Sequence, residues 1–130
     1  MSVNIGESGE PTWKFFDRAE FSCRCGNCEN KIQNELIDKL DKAREISGVS
    51  YKINSGFRCL DHNTSIGGSK TSLHMAGRAA DIHVPSSAAR YQILKGLFAA
   101  ELDRVLIYRT FIHADIAGEG KQSGTSLWMG

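Results

Sequence analysis

The sequence predicts a single α+β domain, built on a small antiparallel sheet flanked by two main helices. Three observations lead there. A segment centred near residue 40 and another near residue 95 keep their apolar residues on one helical face. The runs with strand character fall outside those helices and never form the βαβ repeat of a parallel sheet. The 130 residues lie well below the roughly 250–300 at which cores usually divide.

Residues 1–12 are polar and Gly-rich without periodicity and read as a flexible lead-in, so the domain is expected over residues 13–130. Ile32, Leu36, Ile37, Leu40, Ala43 and Ile46 share one face and Gly48 supplies a stop, which predicts a helix over about residues 30–47. A short strand is expected at 51–54, running into the Ser55-Gly56 turn, and residues 60–73 read as loop with room for one helical turn. A strand is expected at 78–84, ended by Pro85. Ser86 or Ser87 then caps a second helix whose core face carries Ile93, Leu94, Leu97 and Phe98. Two further strands are expected at 104–108 and 110–116, followed by a polar tail up to Leu127-Trp128-Met129.

With 16 basic and 15 acidic residues, a net charge of +1 gives no electrostatic reason to expect nucleic acid. No stretch approaches the ~20 apolar residues of a membrane span. The first residues lack the basic and apolar regions of an export signal, so synthesis in a cytoplasm without a signal peptide is expected, and a monomer is expected.

The chemistry concentrates in three places. His74 in a polar loop precedes Asp81 by seven residues, Asp81 lies on a strand entered through Gly77 and small residues, and His113 follows on a later strand. Two histidines and a carboxylate form a known ligand set for catalytic zinc, with a fourth position left for water. Spacing alone leaves open that His74 and Asp81 merely hold a loop and that His113 is a packed core residue.

The stretch Ser72-Leu73-His74-Met75-Ala76-Gly77-Arg78-Ala79-Ala80-Asp81 resembles the S-x-H-x-x-G-x-A-x-D motif of the zinc peptidase family that contains D-Ala-D-Ala carboxypeptidases and L-Ala-D-Glu endopeptidases. Asn54-Ser55-Gly56-Phe57-Arg58 is similar to that family's S-G-[FY]-R segment. Phe111-Ile112-His113-Ala114-Asp115 is similar to its F-[IV]-H-x-D form in short, single-domain members. The likeness extends to the EFSCRC stretch and covers roughly residues 13–116. It implies a zinc-dependent peptidase acting on peptidoglycan stem peptides, with zinc on His74, Asp81 and His113 and substrate contacts from Arg58 and Ser72. Action at the cell wall follows, and such a protein is compatible with a phage lysin or virion-associated enzyme.

One position departs from the pattern. Better-known members carry an acidic general base three residues before the second zinc histidine, where this chain has Thr110. Asp115, on the strand face of His113, is the first alternative as catalytic base, with a role in orienting a ligand histidine as its competitor. His83 shares the strand face of Asp81 and is left outside the ligand set; Glu119 and Asp103 would need a turn or neighbouring strand to reach the site; His62 reads as structural.

Cys23, Cys25, Cys28 and Cys59 form a C-x-C-x-x-C…C pattern that would serve a structural zinc, two disulfides or packed core thiols. Two other readings of the chain stand beside the peptidase. One is a non-catalytic zinc-binding module for cell-wall recognition or structure; the other is a zinc-ribbon-like domain built on the cysteines.

Overall fold

The computed structural model describes residues 4–5, 11–116 and 126–129. In the segment read as a lead-in, strands β1 (Asn4–Ile5) and β2 (Pro11–Thr12) pair antiparallel. A 3-10 turn at Arg18–Phe21 then buries Phe21 completely.

Helix α1 spans Asn34–Ser47 and ends where Gly48 donates its N–H to Arg44 O. It begins later than its periodicity predicts. Ile32 and Gln33 are taken up by other partners, since Ile32 N–H goes to the Asn30 side chain and Gln33 N–H to Gly77 O. Strand β3 (Ile53–Ser55) follows, then the short helix α2 (Leu60–Ser65), which occupies the predicted loop. Strand β4 covers Ala79–His83, and helix α3 covers Ser87–Ala99 with Ser86 Oγ accepting Ala89 N–H at its start. Strands β5 (Arg104–Ile107), β6 (Phe111–Asp115) and β7 (Ser126–Met129) complete the sheet.

The sheet order is β3-β4-β6-β5-β7. The first four strands are antiparallel, as predicted, and β7 adds parallel to β5 at the edge. Strand alternation gives this sheet two unlike faces. Ala80, Ile82, Val105, Ile112 and Ala114 are fully buried on one face and join one core with Leu36, Ile37, Leu40 and Ala43 of α1 and Ile93 and Leu97 of α3. Each such Leu or Ile contributes ~1.5–3 kcal/mol relative to exposure. Ile46 and Phe98, expected on the core faces, are 43% and 41% exposed. At ~100° per residue Phe98 lies ~140° around the helix from Ile93, outside the stripe that meets the sheet.

Candidate metal centre

The opposite sheet face carries the polar residues. Register places Asp81 opposite His113, Ala79 opposite Asp115 and His83 opposite Phe111, while Arg104 and Leu106 of β5 stand opposite Asp115 and His113. Directly opposed residues on antiparallel strands have their Cβ atoms only ~4.5–5.5 Å apart, so two of the three predicted ligands are neighbours by strand pairing alone.

His74 reaches them through a turn. Ser72 Oγ accepts His74 N–H at 3.1 Å, Met75 N–H bonds Ser72 O, and Arg78 N–H bonds Leu73 O at 3.0 Å. Gly77 closes the turn at φ +71°, and a Cβ there would collide with the backbone carbonyl of Lys31. The glycine of the motif therefore answers two demands at once, a left-handed backbone and close approach to the segment entering α1.

His74 Nε2 lies 3.3 Å from Asp81 Oδ1, and His113 Nδ1 lies 3.1 Å from the same oxygen. One donor atom from each of the three residues falls within 4.8 Å of the others, and all three side chains are buried. The remaining ring nitrogens fix the tautomers. His74 Nδ1 is 2.7 Å from Gly56 O, an acceptor only, so it carries hydrogen and donates. His113 Nε2 is 2.7 Å from Asp115 Oδ2 and donates in the same way. In the neutral rings, His74 Nε2 and His113 Nδ1 are then lone pairs, both directed at an anionic oxygen. Three acceptors converging in a buried place require a proton or a cation among them, and two imidazoles with one carboxylate suit zinc.

The titration directions express the same demand without metal. Burial acts to raise the Asp81 carboxyl, but the hydrogen bonds and charges of His113 and His74 outweigh it and hold Asp81 well below the usual carboxylate range. Burial likewise acts to lower His113, and Asp115 and Asp81 outweigh it and push the imidazole up.

Arg58 meets the centre from the loop after β3. Its guanidinium bonds Ser55 Oγ at 3.0 Å, Asn63 Oδ1 at 3.2 Å and Asp81 Oδ2 at 3.3 Å. Asp115 is fully buried, and its Oδ2 accepts from His113 and from Arg104 Nε and Nη2 at 3.0 and 2.9 Å. A cleft of about 410 Å³ opens over His74, Asp81 and His113; Arg58, Ser72, Arg104, Tyr108 and Phe111 also line it. Tyr108 and Phe111 stack with centroids 4.5 Å apart.

Among the described residues that line this cleft, Asp81 is the one carboxylate. Asp115 lies behind His113 and outside the lining. Thr110 is exposed in the β5–β6 turn, and His83 is also outside the lining. Glu119 lies outside the described residues. His62 sits in α2 with its N–H toward Cys59 Sγ. The four cysteines gather in a second cluster, and none of them lines the cleft.

Sequence reasoning did not find Arg104, Asn63, the Gly56 carbonyl or the Tyr108–Phe111 pair. Arg104 becomes relevant only through its register with Asp115, for which no local motif exists. The Gly56 carbonyl is a backbone group with no residue type to mark it.

A sheet face presenting Asp81 and His113 to an open cleft, with His74 brought to them by a turn and an arginine beside them, is the arrangement of a metallopeptidase. The family model described as Peptidase M15 matches residues 14–115, and the chain belongs to that family of zinc-dependent metallopeptidases. No match was found among curated proteins. Among the described residues, no helix is long and apolar enough to cross a membrane.

Proposed function

We propose that the protein hydrolyses peptide bonds in peptidoglycan stem peptides, with zinc held by His74 Nε2, Asp81 and His113 Nδ1. The observation that carries this reading is the convergence of two imidazole lone pairs and a carboxylate oxygen at the floor of an open cleft. Membership of the Peptidase M15 family supports it. Bound zinc would polarise the scissile carbonyl and lower the pKa of a water towards ~7.

The chain's own residues supply the rest. Gly56 O and Asp115 hold the two rings in the tautomers and orientations that leave a lone pair facing Asp81. Arg58 and Arg104 line the cleft and favour a substrate that carries carboxylates, as stem peptides do. Arg58, which bonds Asp81, would bind the carbonyl or terminal carboxylate and stabilise negative charge as it develops. The stacked Tyr108 and Phe111 give the cleft an apolar wall for the short side chains of such a peptide. Asp115, buried and bonded to His113 and Arg104, acts as a positioning residue and not as the base.

The test is hydrolysis of purified peptidoglycan before and after zinc removal. Release of new amino termini that stops with a chelator and returns with zinc supports the proposal. A zinc-loaded protein that binds the wall material and cuts nothing would favour the non-catalytic recognition module.

A further inference from the structure

The proposed peptidase centre leaves the four cysteines unused. Cys23 Sγ lies 3.7 Å from Cys59 Sγ, Cys59 Sγ lies 3.8 Å from Cys25 Sγ, and Cys25 Sγ lies 3.4 Å from Cys28 Sγ. All four sulfurs fall within 4.8 Å of one another. Two disulfides would need the sulfurs only in pairs, whereas here Cys25 and Cys59 each approach two others. A tetrahedral zinc with sulfur bonds of ~2.3 Å has sulfur–sulfur edges of ~3.8 Å, which is the scale of these separations.

The backbone around three of the sulfurs is arranged for thiolates. Asn27 N–H points to Cys25 Sγ at 3.3 Å, Cys59 N–H to Cys23 Sγ at 3.4 Å, and His62 N–H to Cys59 Sγ at 3.5 Å. Hydrogen bonds of this kind favour the charged form of the acceptor, and the thiolate is the form that binds metal. Gly26 N–H bonds Cys23 O and closes the turn that brings Cys23, Cys25 and Cys28 together. Cys59 arrives from the other side as the residue that caps α2.

We propose that Cys23, Cys25, Cys28 and Cys59 bind a second zinc ion, structural in role, that fastens residues 22–28 to the end of β3 and the loop 56–59 that follows it. Residues 22–33 contain no helix or strand, so their backbone has little repeating structure of its own to hold it. The loop they meet is the one that carries Gly56 and Arg58. Phe57 N–H bonds Phe21 O at 2.8 Å, Arg24 Nη2 bonds Ile53 O at 2.7 Å, and a Cβ at Gly56 would come within 2.6 Å of Phe21 O. The second zinc therefore fixes the piece of chain whose Gly56 carbonyl orients His74 and whose Arg58 faces the cleft. All four ligand positions are filled by sulfur, so this ion has no open position for substrate.

The full chain, purified without oxygen and with a thiol reductant, is analysed for zinc and then loaded with cobalt. Wild type is expected to hold two zinc ions per chain, and a His74→Ala, His113→Ala double variant one. Cobalt in that double variant should give the intense near-ultraviolet sulfur-to-metal band that a His/Asp site cannot produce. Cys28→Ser, at an exposed position, should lose one zinc and lower the thermal midpoint. If that variant fails to fold, the wild-type stoichiometry and cobalt band still decide. Freely reacting thiols with no sulfur-to-cobalt band would overturn the proposal. These readouts do not depend on whether the His/Asp centre hydrolyses anything.

Discussion

Replacing Asp115 by asparagine removes one negative charge from a fully buried side chain while keeping its shape. In the wild type a single oxygen, Oδ2, receives the His113 ring N–H at 2.7 Å and two Arg104 N–H groups at 3.0 and 2.9 Å, whereas the buried Oδ1 has no hydrogen-bond partner among the described residues. An asparagine that keeps its carbonyl oxygen toward His113 and Arg104 must put its NH2 where Oδ1 stands, leaving buried donors without a partner at a cost of ~1–3 kcal/mol in stability. His113 keeps its orientation but loses a charged acceptor, which lowers the basicity of the nitrogen facing the metal. Changes behind a ligand histidine typically weaken metal binding ~10–100-fold, or ~1.4–2.8 kcal/mol. Competition titration against a chromophoric chelator should show that loss, while turnover at excess zinc stays within about tenfold of wild type. A base would behave oppositely, with normal zinc affinity and a fall of ~10²–10⁴-fold in rate at saturating zinc. That second pattern would refute the positioning role and make Asp115 the proton acceptor.

Other expectations follow from the same geometry. Arg58→Ala should lower kcat/KM by ~2–4 kcal/mol at saturating zinc through loss of an anion-stabilising donor, and unchanged kinetics with a full zinc complement would remove Arg58 from the chemistry. The same variant should also lower the thermal midpoint, because Asp81 Oδ2 and Asn63 Oδ1 lose their guanidinium partner. Gly77→Ala should destabilise by more than ~2 kcal/mol in urea denaturation, since the left-handed backbone alone costs ~1–2 kcal/mol and the Lys31 carbonyl blocks the added methyl; a neutral result would contradict the turn described for His74. In the metal-free protein His113 is raised above its ordinary value, so its stabilising contribution is fully present below ~6.5 and is lost as pH rises through the raised value. The urea midpoint of the metal-free chain should therefore contain a component that falls with rising pH in that window, and His113→Ala should abolish it. Zinc competes with the same proton, so its affinity should rise over the same window.

Much of this was legible in the sequence because the signals were local. The apolar stripe of α1, the Ser86 cap of α3 and the alternation in β4 and β6 each lie within one short stretch of chain. The motif from Ser72 to Asp81 also carries its own turn chemistry in Gly77, and the family resemblance, added to the spacing, singles out His74, Asp81 and His113 as a set that the fold does bring together. What escaped depends on pairing between distant segments. The late start of α1 follows from Gln33 bonding Gly77, far along the chain. Likewise, strand alternation placed Asp115 on the face of His113 correctly, but could not show that Arg104 and the His113 ring enclose it behind the ligand and outside the cleft lining. Phe98 lies off the core face because apolar character alone does not define the angle at which α3 meets the sheet.

The most direct measurement is mass analysis of the soluble and insoluble fragments released from purified peptidoglycan by the zinc-loaded protein and by its His113→Ala variant. Cleavage at one defined stem-peptide bond, present with the wild type and absent with the variant, is the expected result. Intact stem peptides after prolonged incubation with wild type shown to hold zinc on His74, Asp81 and His113 would contradict it.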